Sequence, residues 1–257
     1  MKSDYKGESY ISIIILVHNA YSYTKQTIKT LSRTVDVDYE VIVVDNNSKR
    51  RTKSLLLRLF KRRYIDKLLF LNENTFFAKG NNIGSRLCSE LATHILLLNS
   101  DVLIKNPLWL KVLLDNYKVG VAAFGYCDTP PNRADGYCFL IDKELYQRHL
   151  LDESYQWAWG ITKLQAQLLK DGYDVVAIDG HDKYIFHYGG KSGSDWKNAR
   201  GMATELNTIL KWFESGNKVK VLDFGFKVIK NGNIMKRSIK MAFSIMRTLI
   251  AKLKFIF

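Results

Sequence analysis

Ile11-Ser12-Ile13-Ile14-Ile15-Leu16-Val17-His18-Asn19 decides the fold. The run is almost continuously aliphatic and β-branched, with no alternation of polar residues. It therefore reads as a strand buried on both faces, as in a parallel sheet. His18-Asn19-Ala20 ends it. The same design recurs outward along the chain. Residues 39–44 make a second buried strand, closed by the turn-forming Asp45-Asn46-Asn47-Ser48. Residues 67–71 and 94–98 supply a third and a fourth, and Asn99-Ser100-Asp101 closes the last. Residues 23–31, 53–60 and 81–91 read as intervening helices, the second with a strongly basic face. Alternation of strand and helix to about residue 115 implies an α/β fold with a doubly wound, mostly parallel, Rossmann-like sheet. Ligands of such sheets sit beyond the carboxyl ends of the strands. The polar turns around Asn19, Asp45 and Asp101 all fall there, so three separate segments converge on one edge.

The second half is less regular. Residues 119–126, 137–141, 175–178 and 183–187 read as strands. Residues 162–170 read as a helix that stops at Asp171-Gly172, and 202–213 as another. With 257 residues, 47% apolar and 12% aromatic, the chain has the material for one α/β domain and an extension. Thirty-nine Lys and Arg against 25 Asp and Glu give a net charge of +14, which favours anionic partners such as a nucleotide diphosphate or an acidic membrane. The cations concentrate in residues 49–63 and in the tail, and no nucleic-acid-binding motif occurs, so a nucleic-acid partner is not expected. No G-x-G-x-x-G follows the first strand, which disfavours a dinucleotide dehydrogenase. Cys88, Cys127 and Cys138 match no metal spacing, and a reduced intracellular protein is the simplest expectation. The polar start, Met1-Lys2-Ser3-Asp4, carries no apolar signal-peptide region.

Several motifs resemble glycosyltransferase family 2, and they occur in that family's order over roughly residues 10–195. Residues 11–19 resemble its first strand and donor loop, and 41–48 its second. Residues 72–84 are similar to the segment preceding its nucleotide-facing helix. Leu96-Leu97-Leu98-Asn99-Ser100-Asp101-Val102 looks like the metal-binding D-x-D position, and Ile185-Phe186-His187-Tyr188-Gly189-Gly190-Lys191-Ser192 like the late histidine motif. The resemblance implies a GT-A fold and an inverting sugar transfer from a nucleotide-sugar donor. It also implies a catalytic domain over 1–200, with a nucleotide-sugar half at 1–105 and an acceptor half at 106–200, followed by a helical extension at 201–257.

The chemistry follows from the leaving group. Departure of a diphosphate builds negative charge, which a divalent cation stabilises as a Lewis acid. Mn²⁺ and Mg²⁺ take oxygen ligands, and Mn²⁺ also accepts imidazole. Asp101, at the end of a buried strand, is the best metal ligand, and the resemblance implies His187 as a second. Asn99 stands where the first acid of D-x-D is expected, so it and Ser100 are assigned to the donor, by hydrogen bonding without charge. Asp45 resembles the residue that accepts from the donor's base, which suits the imide N–H of uracil or thymine and hence a UDP- or dTDP-sugar. His18 and Asn19 would flank that base, Lys79 would neutralise the diphosphate and Asn82 would bind the donor. The plainer alternatives are a turn role for Asp45, a solvated charge for Lys79 and a helix cap for Asn82.

The catalytic base departs from the pattern. The family places an acidic pair at the start of the helix that ends here at Gly172-Tyr173, but those positions are Gly160 and Ile161. The nearest carboxylates are Asp152 and Glu153. Glu153 serves only if residues 154–160 fold back; Asp179 and Asp182 are alternatives, as is loss of activity. Trp157 and Trp159, with Tyr155, stand where a glycan or lipid-linked acceptor would dock. Residues 234–257 carry six Lys or Arg and no acid beside an apolar stripe at helical spacing, the composition of an interfacial helix. A cytoplasmic protein peripheral to the membrane is the corresponding expectation, and a terminal helix packed on protein is the alternative.

Overall fold

The computed structural model describes residues 9–192, 197, 199–214 and 218–225. In chain order the first part runs β1 (Tyr10–Val17), α1 (Tyr21–Leu31), β2 (Asp38–Asp45), α2 (Arg50–Lys61), β3 (Lys67–Phe70), α3 (Phe76–Ser85), β4 (His94–Asn99), β5 (Val102–Ile104) and α4 (Trp109–Asp115). Then come β6 (Gly120–Phe124), β7 (Tyr126–Cys127), β8 (Arg133–Ala134), β9 (Cys138–Asp142), α5 (Lys143–Arg148), α6 (Ala158–Lys170), β10 (Asp174–Asp179), β11 (Ile185–His187), α7 (Leu206–Lys211) and β12 (Lys220–Asp223).

Eight strands form the main sheet in the order β12-β10-β6-β9-β4-β1-β2-β3. Neighbours are parallel except at β9, which runs antiparallel to both β4 and β6. This is the α/β, mostly parallel sheet that the sequence implies. The aliphatic run of β1 divides between two cores. Ile11, Ile13, Ile15 and Val17 meet Leu31 of α1, Leu56 of α2 and Trp109 of α4. Ile14 faces the other way, with Ala78 of α3, Tyr146 of α5 and Leu168 of α6. A strand covered on both faces has no solvent side, so its sequence shows no alternation.

Register brings the polar turns abreast. Val17 pairs with Asp45 and Leu16 with Asn99, so the loops leaving β1, β2 and β4 start from one row. The short antiparallel pairing of β11 with β5 aligns His187 with Val102, one residue past Asp101.

Two readings change. The third helix is α3 at Phe76–Ser85, not 81–91. Gly80 and Gly84 weaken its sequence signature, yet they let it lie against β1: a Cβ at Gly84 would stand 2.7 Å from Ile14 Cγ2. The extension after residue 200 is helical at α7, but β12 joins the main sheet as an edge strand. Residues 234–257 lie outside the described residues. No helix among the described residues is long and apolar enough to cross a membrane.

Candidate functional site

The carboxyl edge of β1, β2 and β4 opens into a cavity of about 120 Å³, lined among others by His18, Asn46, Phe76, Asn99, Asp101, Trp157 and Lys191. A neighbouring cavity of about 340 Å³ shares Phe77, Asn99, Trp157 and Gly190 with it, and is walled by Arg133, Asp135, Tyr137 and His187. A larger depression of about 810 Å³ lies at the opposite edge, around Ser9, Asp38 and His94. That is the amino end of β1, β2 and β4, the wrong end of a parallel sheet for a ligand.

The donor loops are tied to one another by side chains. His18 Nδ1 donates to the Asn46 carbonyl at 2.7 Å, and Asn19 Nδ2 donates to His18 Nε2 at 3.0 Å. Asn19 Oδ1 accepts from the Lys49 N–H at 2.9 Å, which fixes the direction of that amide and therefore the imidazole proton on Nδ1. The Asn19 N–H donates to Ser48 Oγ at 2.8 Å. Asn46, buried at the end of β2, was passed over in the sequence as a turn residue. Its Oδ1 accepts from the N–H and hydroxyl of Thr75 at 2.7 and 2.9 Å, and its Nδ2 donates to Asn74 Oδ1 at 2.8 Å. It clamps the loop that starts α3.

Asp45 is fully buried. Its Oδ2 accepts from the Ser48 N–H at 3.1 Å and lies 4.0 Å from Lys53 Nζ, while Oδ1 is buried with no hydrogen-bond partner among the described residues. Burial raises its carboxyl above the usual range; the hydrogen bonds from Ser48 and the Lys53 charge only partly offset this. Asp45 lines neither cavity; an acceptor left unmatched in such a buried place costs about 1–3 kcal/mol.

Asp101 and His187 meet. Asp101 is buried, and its Oδ1 lies 3.2 Å from His187 Nε2, while its Oδ2 accepts from the Lys191 N–H at 3.4 Å. Asn99 Nδ2 lies 3.2 Å from the same His187 nitrogen. The Tyr137 ring stacks on the imidazole at 4.3 Å and 16°, and fixes its plane. An O–N separation of 3.2 Å is that of adjacent ligands on an ion with bonds of about 2.1–2.2 Å. The pair thus fits a divalent cation as two of its ligands. Among the described residues no third His, Cys, Asp or Glu joins them, so oxygens of a bound diphosphate and water would complete the sphere. Ser100 is buried beside them, its carbonyl accepting from Thr27 Oγ1 at 2.9 Å.

Other expected residues stand elsewhere. Lys79 makes an exposed ion pair with Glu73 at 3.2 Å and lines neither cavity. The cation in place is Lys191, on the turn after His187, a signal present in the sequence but passed over. Asn82 is saturated. It donates to the Leu151 carbonyl (2.8 Å) and Glu153 Oε1 (3.1 Å), and accepts from Tyr146 (3.0 Å) and the Leu151 N–H (3.1 Å). Those four bonds exhaust its amide and leave nothing for a donor. Asp152 is held by Lys163 at 2.5 Å and by the Ser154 N–H. Burial alone would raise its carboxyl, but these partners hold it below its ordinary value. Neither Asp152 nor Glu153 lines either of these cavities, so residues 154–160 do not fold back to bring them in. Trp157 does line both cavities; Trp159 lines neither and lies under Arg133, whose guanidinium is 5.6 Å from its ring.

Strain concentrates here as well. Phe76 (φ 59°) and Trp157 (φ 56°) both hold left-handed backbone, which bulky residues adopt at a cost of about 1–3 kcal/mol. Both side chains line the smaller cavity.

The mixed α/β architecture with its large, mostly parallel central sheet is that of the GT-A fold. The sequence profile of glycosyl transferase family 2 matches residues 12–147, just over half of the chain, and the chain belongs to that family. Solved structures are similar in fold. One is the mannosyltransferase PcManGT from Pyrobaculum calidifontis, in complex with GDP-Man and Mn²⁺, at 16% identity and TM-score 0.53, covering 65% of this chain and 54% of that one. Another is S. aureus TarS, at 17% identity and TM-score 0.50, covering 61% and 33%. TarS 1–349 in complex with UDP aligns at 16% identity and TM-score 0.50, covering 61% and 55%. The matched part thus spans about half or less of those proteins. No curated protein sequence matches.

Proposed function

We propose that the protein transfers a sugar, with inversion, from a UDP- or dTDP-sugar to a hydroxyl of a glycan, glycolipid or glycoprotein, using Mn²⁺ or Mg²⁺. The observation that carries this reading is the 3.2 Å approach of Asp101 to His187 at the mouth of the donor cavity. Asp45, with its unmatched buried oxygen, would take the imide N–H of the base. Lys191, Asn99 and Ser100 would meet the diphosphate and ribose. The metal would supply Lewis-acid stabilisation of the leaving diphosphate. Trp157 would offer its ring to the acceptor sugar's C–H face. Neighbours of the same fold hold GDP-Man with Mn²⁺ or UDP, which supports a nucleotide-linked donor. Residues 234–257 would hold the protein on the cytoplasmic face of a membrane, near a lipid-linked acceptor.

The test is thermal stability with UDP, dTDP and GDP, with and without Mn²⁺, on wild type and Asp101→Ala. A ligand of the native state raises the melting temperature by mass action. A metal-dependent rise with one base, lost in Asp101→Ala, supports the donor site; no rise with any nucleotide overturns it. A second reading, a nucleotide-binding protein without turnover, draws on Asp152 and Glu153 lining neither cavity. It requires nucleotide binding without release of nucleoside diphosphate from any sugar donor.

A further inference from the structure

We infer that Asp135 is the general base that takes the proton from the acceptor hydroxyl; this rests on the transferase reading above. An inverting transfer needs a carboxylate beside the attacking oxygen. Among the described residues, only Asp101 and Asp135 are carboxylates lining the two joined cavities. Asp101 is engaged with His187 and the Lys191 N–H and suits a metal. Asp152, Glu153, Asp179 and Asp182 line neither cavity.

The place of Asp135 is built. It follows β8 and precedes β9, and its N–H donates to the Gly125 carbonyl at 2.9 Å. Gly125 has φ +100°, and a Cβ there would stand 2.8 Å from Asp135 Cβ and 3.0 Å from Tyr137 Cε1. The strand before it thus gives up a side chain where Asp135 and Tyr137 pass. The Gly136 N–H donates to Oδ1 at 2.7 Å, while Oδ2 accepts no hydrogen bond among the described residues. Two residues on, Tyr137 stacks on His187. One short segment therefore sets both the imidazole at the donor edge and a carboxylate in the adjoining, larger cavity. That cavity offers a Trp157 face, Thr162 and Arg133, a surface suited to a sugar hydroxyl acceptor.

In the step, the acceptor oxygen forms a bond to the anomeric carbon. The bond from that carbon to the diphosphate oxygen breaks, and its electron pair leaves with the nucleoside diphosphate. The hydroxyl proton passes to Asp135 Oδ2 and from there to water.

The test uses the full chain and Asp135→Asn, with UDP-glucose, UDP-N-acetylglucosamine and dTDP-rhamnose as donors. Two acceptors are compared: water, which must lose a proton, and azide, which has none to lose. Release of nucleoside diphosphate to water is expected to fall by about 100-fold or more in Asp135→Asn. Transfer to azide should stay within a few-fold of wild type, and the nucleotide-induced thermal shift should not change. Equal loss with water and azide overturns the proposal, because Asp135 then positions the donor or the fold. Unchanged reaction with water also overturns it and places the base elsewhere. Failure of the underlying reading looks different: wild type itself then shows no nucleotide-induced shift and releases no diphosphate from any donor.

Discussion

Asp101 Oδ1 and His187 Nε2 stand 3.2 Å apart although they lie far apart in sequence. The antiparallel pairing of β5 and β11 makes the meeting, by aligning Val102 with His187. His187→Ala should therefore weaken Mn²⁺-dependent nucleotide binding without removing it, because Asp101 and the diphosphate remain as ligands. A 10- to 100-fold loss of metal affinity is expected, about 1.4–2.7 kcal/mol. Calorimetric titration of Mn²⁺ in the presence of UDP checks it; unchanged affinity would remove His187 from the metal site.

Asp45 gives a pH dependence of definite sign. Its folded carboxyl titrates above its ordinary value, so the folded state holds a proton that the unfolded chain has released. Its contribution to stability is present at low pH and is lost as pH rises from the ordinary carboxylate value through the raised one. Asp45→Asn should thus be more stable than wild type without ligand at neutral pH. The advantage should fade as the pH falls through that window. The same variant should lose the nucleotide-induced thermal shift. Melting curves across pH, with and without UDP, test both statements.

Asn82→Ala should act on stability rather than on donor affinity. It strands Tyr146, the Leu151 N–H and the Leu151 carbonyl, all buried. At about 1–3 kcal/mol for each unmatched group, a loss of at least about 2 kcal/mol is expected. Urea unfolding measures it, and nucleotide affinity of the folded fraction should stay within about twofold.

Gly84→Ala sets two effects in opposition. Alanine gains about 1 kcal/mol over glycine in a helix. Its methyl would enter 2.7 Å from Ile14 Cγ2 and 3.2 Å from Val44 Cγ2, and such overpacking costs about 1–3 kcal/mol. A net loss of up to about 2 kcal/mol is expected from chemical unfolding. A gain would show that α3 can shift away from β1.

The donor edge was legible because parallel strands leave a strong trace: aliphatic runs closed by polar turns at their carboxyl ends. That trace alone puts His18, Asp45, Asn99 and Asp101 at the carboxyl ends of strands. Side-chain bookkeeping was not legible. In a sequence, Asn82 looks the same as a ligand or as a saturated buried hub, and Asn46 looks like any turn residue. Lys79 and Lys191 both stand close to motif residues, and only the turn after β11 shows which one reaches the cavity. Asp135 leaves no trace in the sequence because β8 is two residues long and carries no periodicity. The start of α3 is hidden in the sequence because its glycines serve close packing, which propensity counts against a helix.

Side-chain bonds cross between the two halves that the sequence suggests on either side of residue 105. Asn82 on α3 grips Leu151 and Glu153, and the Ala78 N–H donates to Gln156 Oε1 at 2.8 Å. These bonds weld the acceptor-side loop to the helix packed beneath the donor loops. A clamshell closure would have to tear that weld. Amide exchange should accordingly show residues 78–82 and 151–156 slowing together as one unit, whichever side of the cavity is filled first.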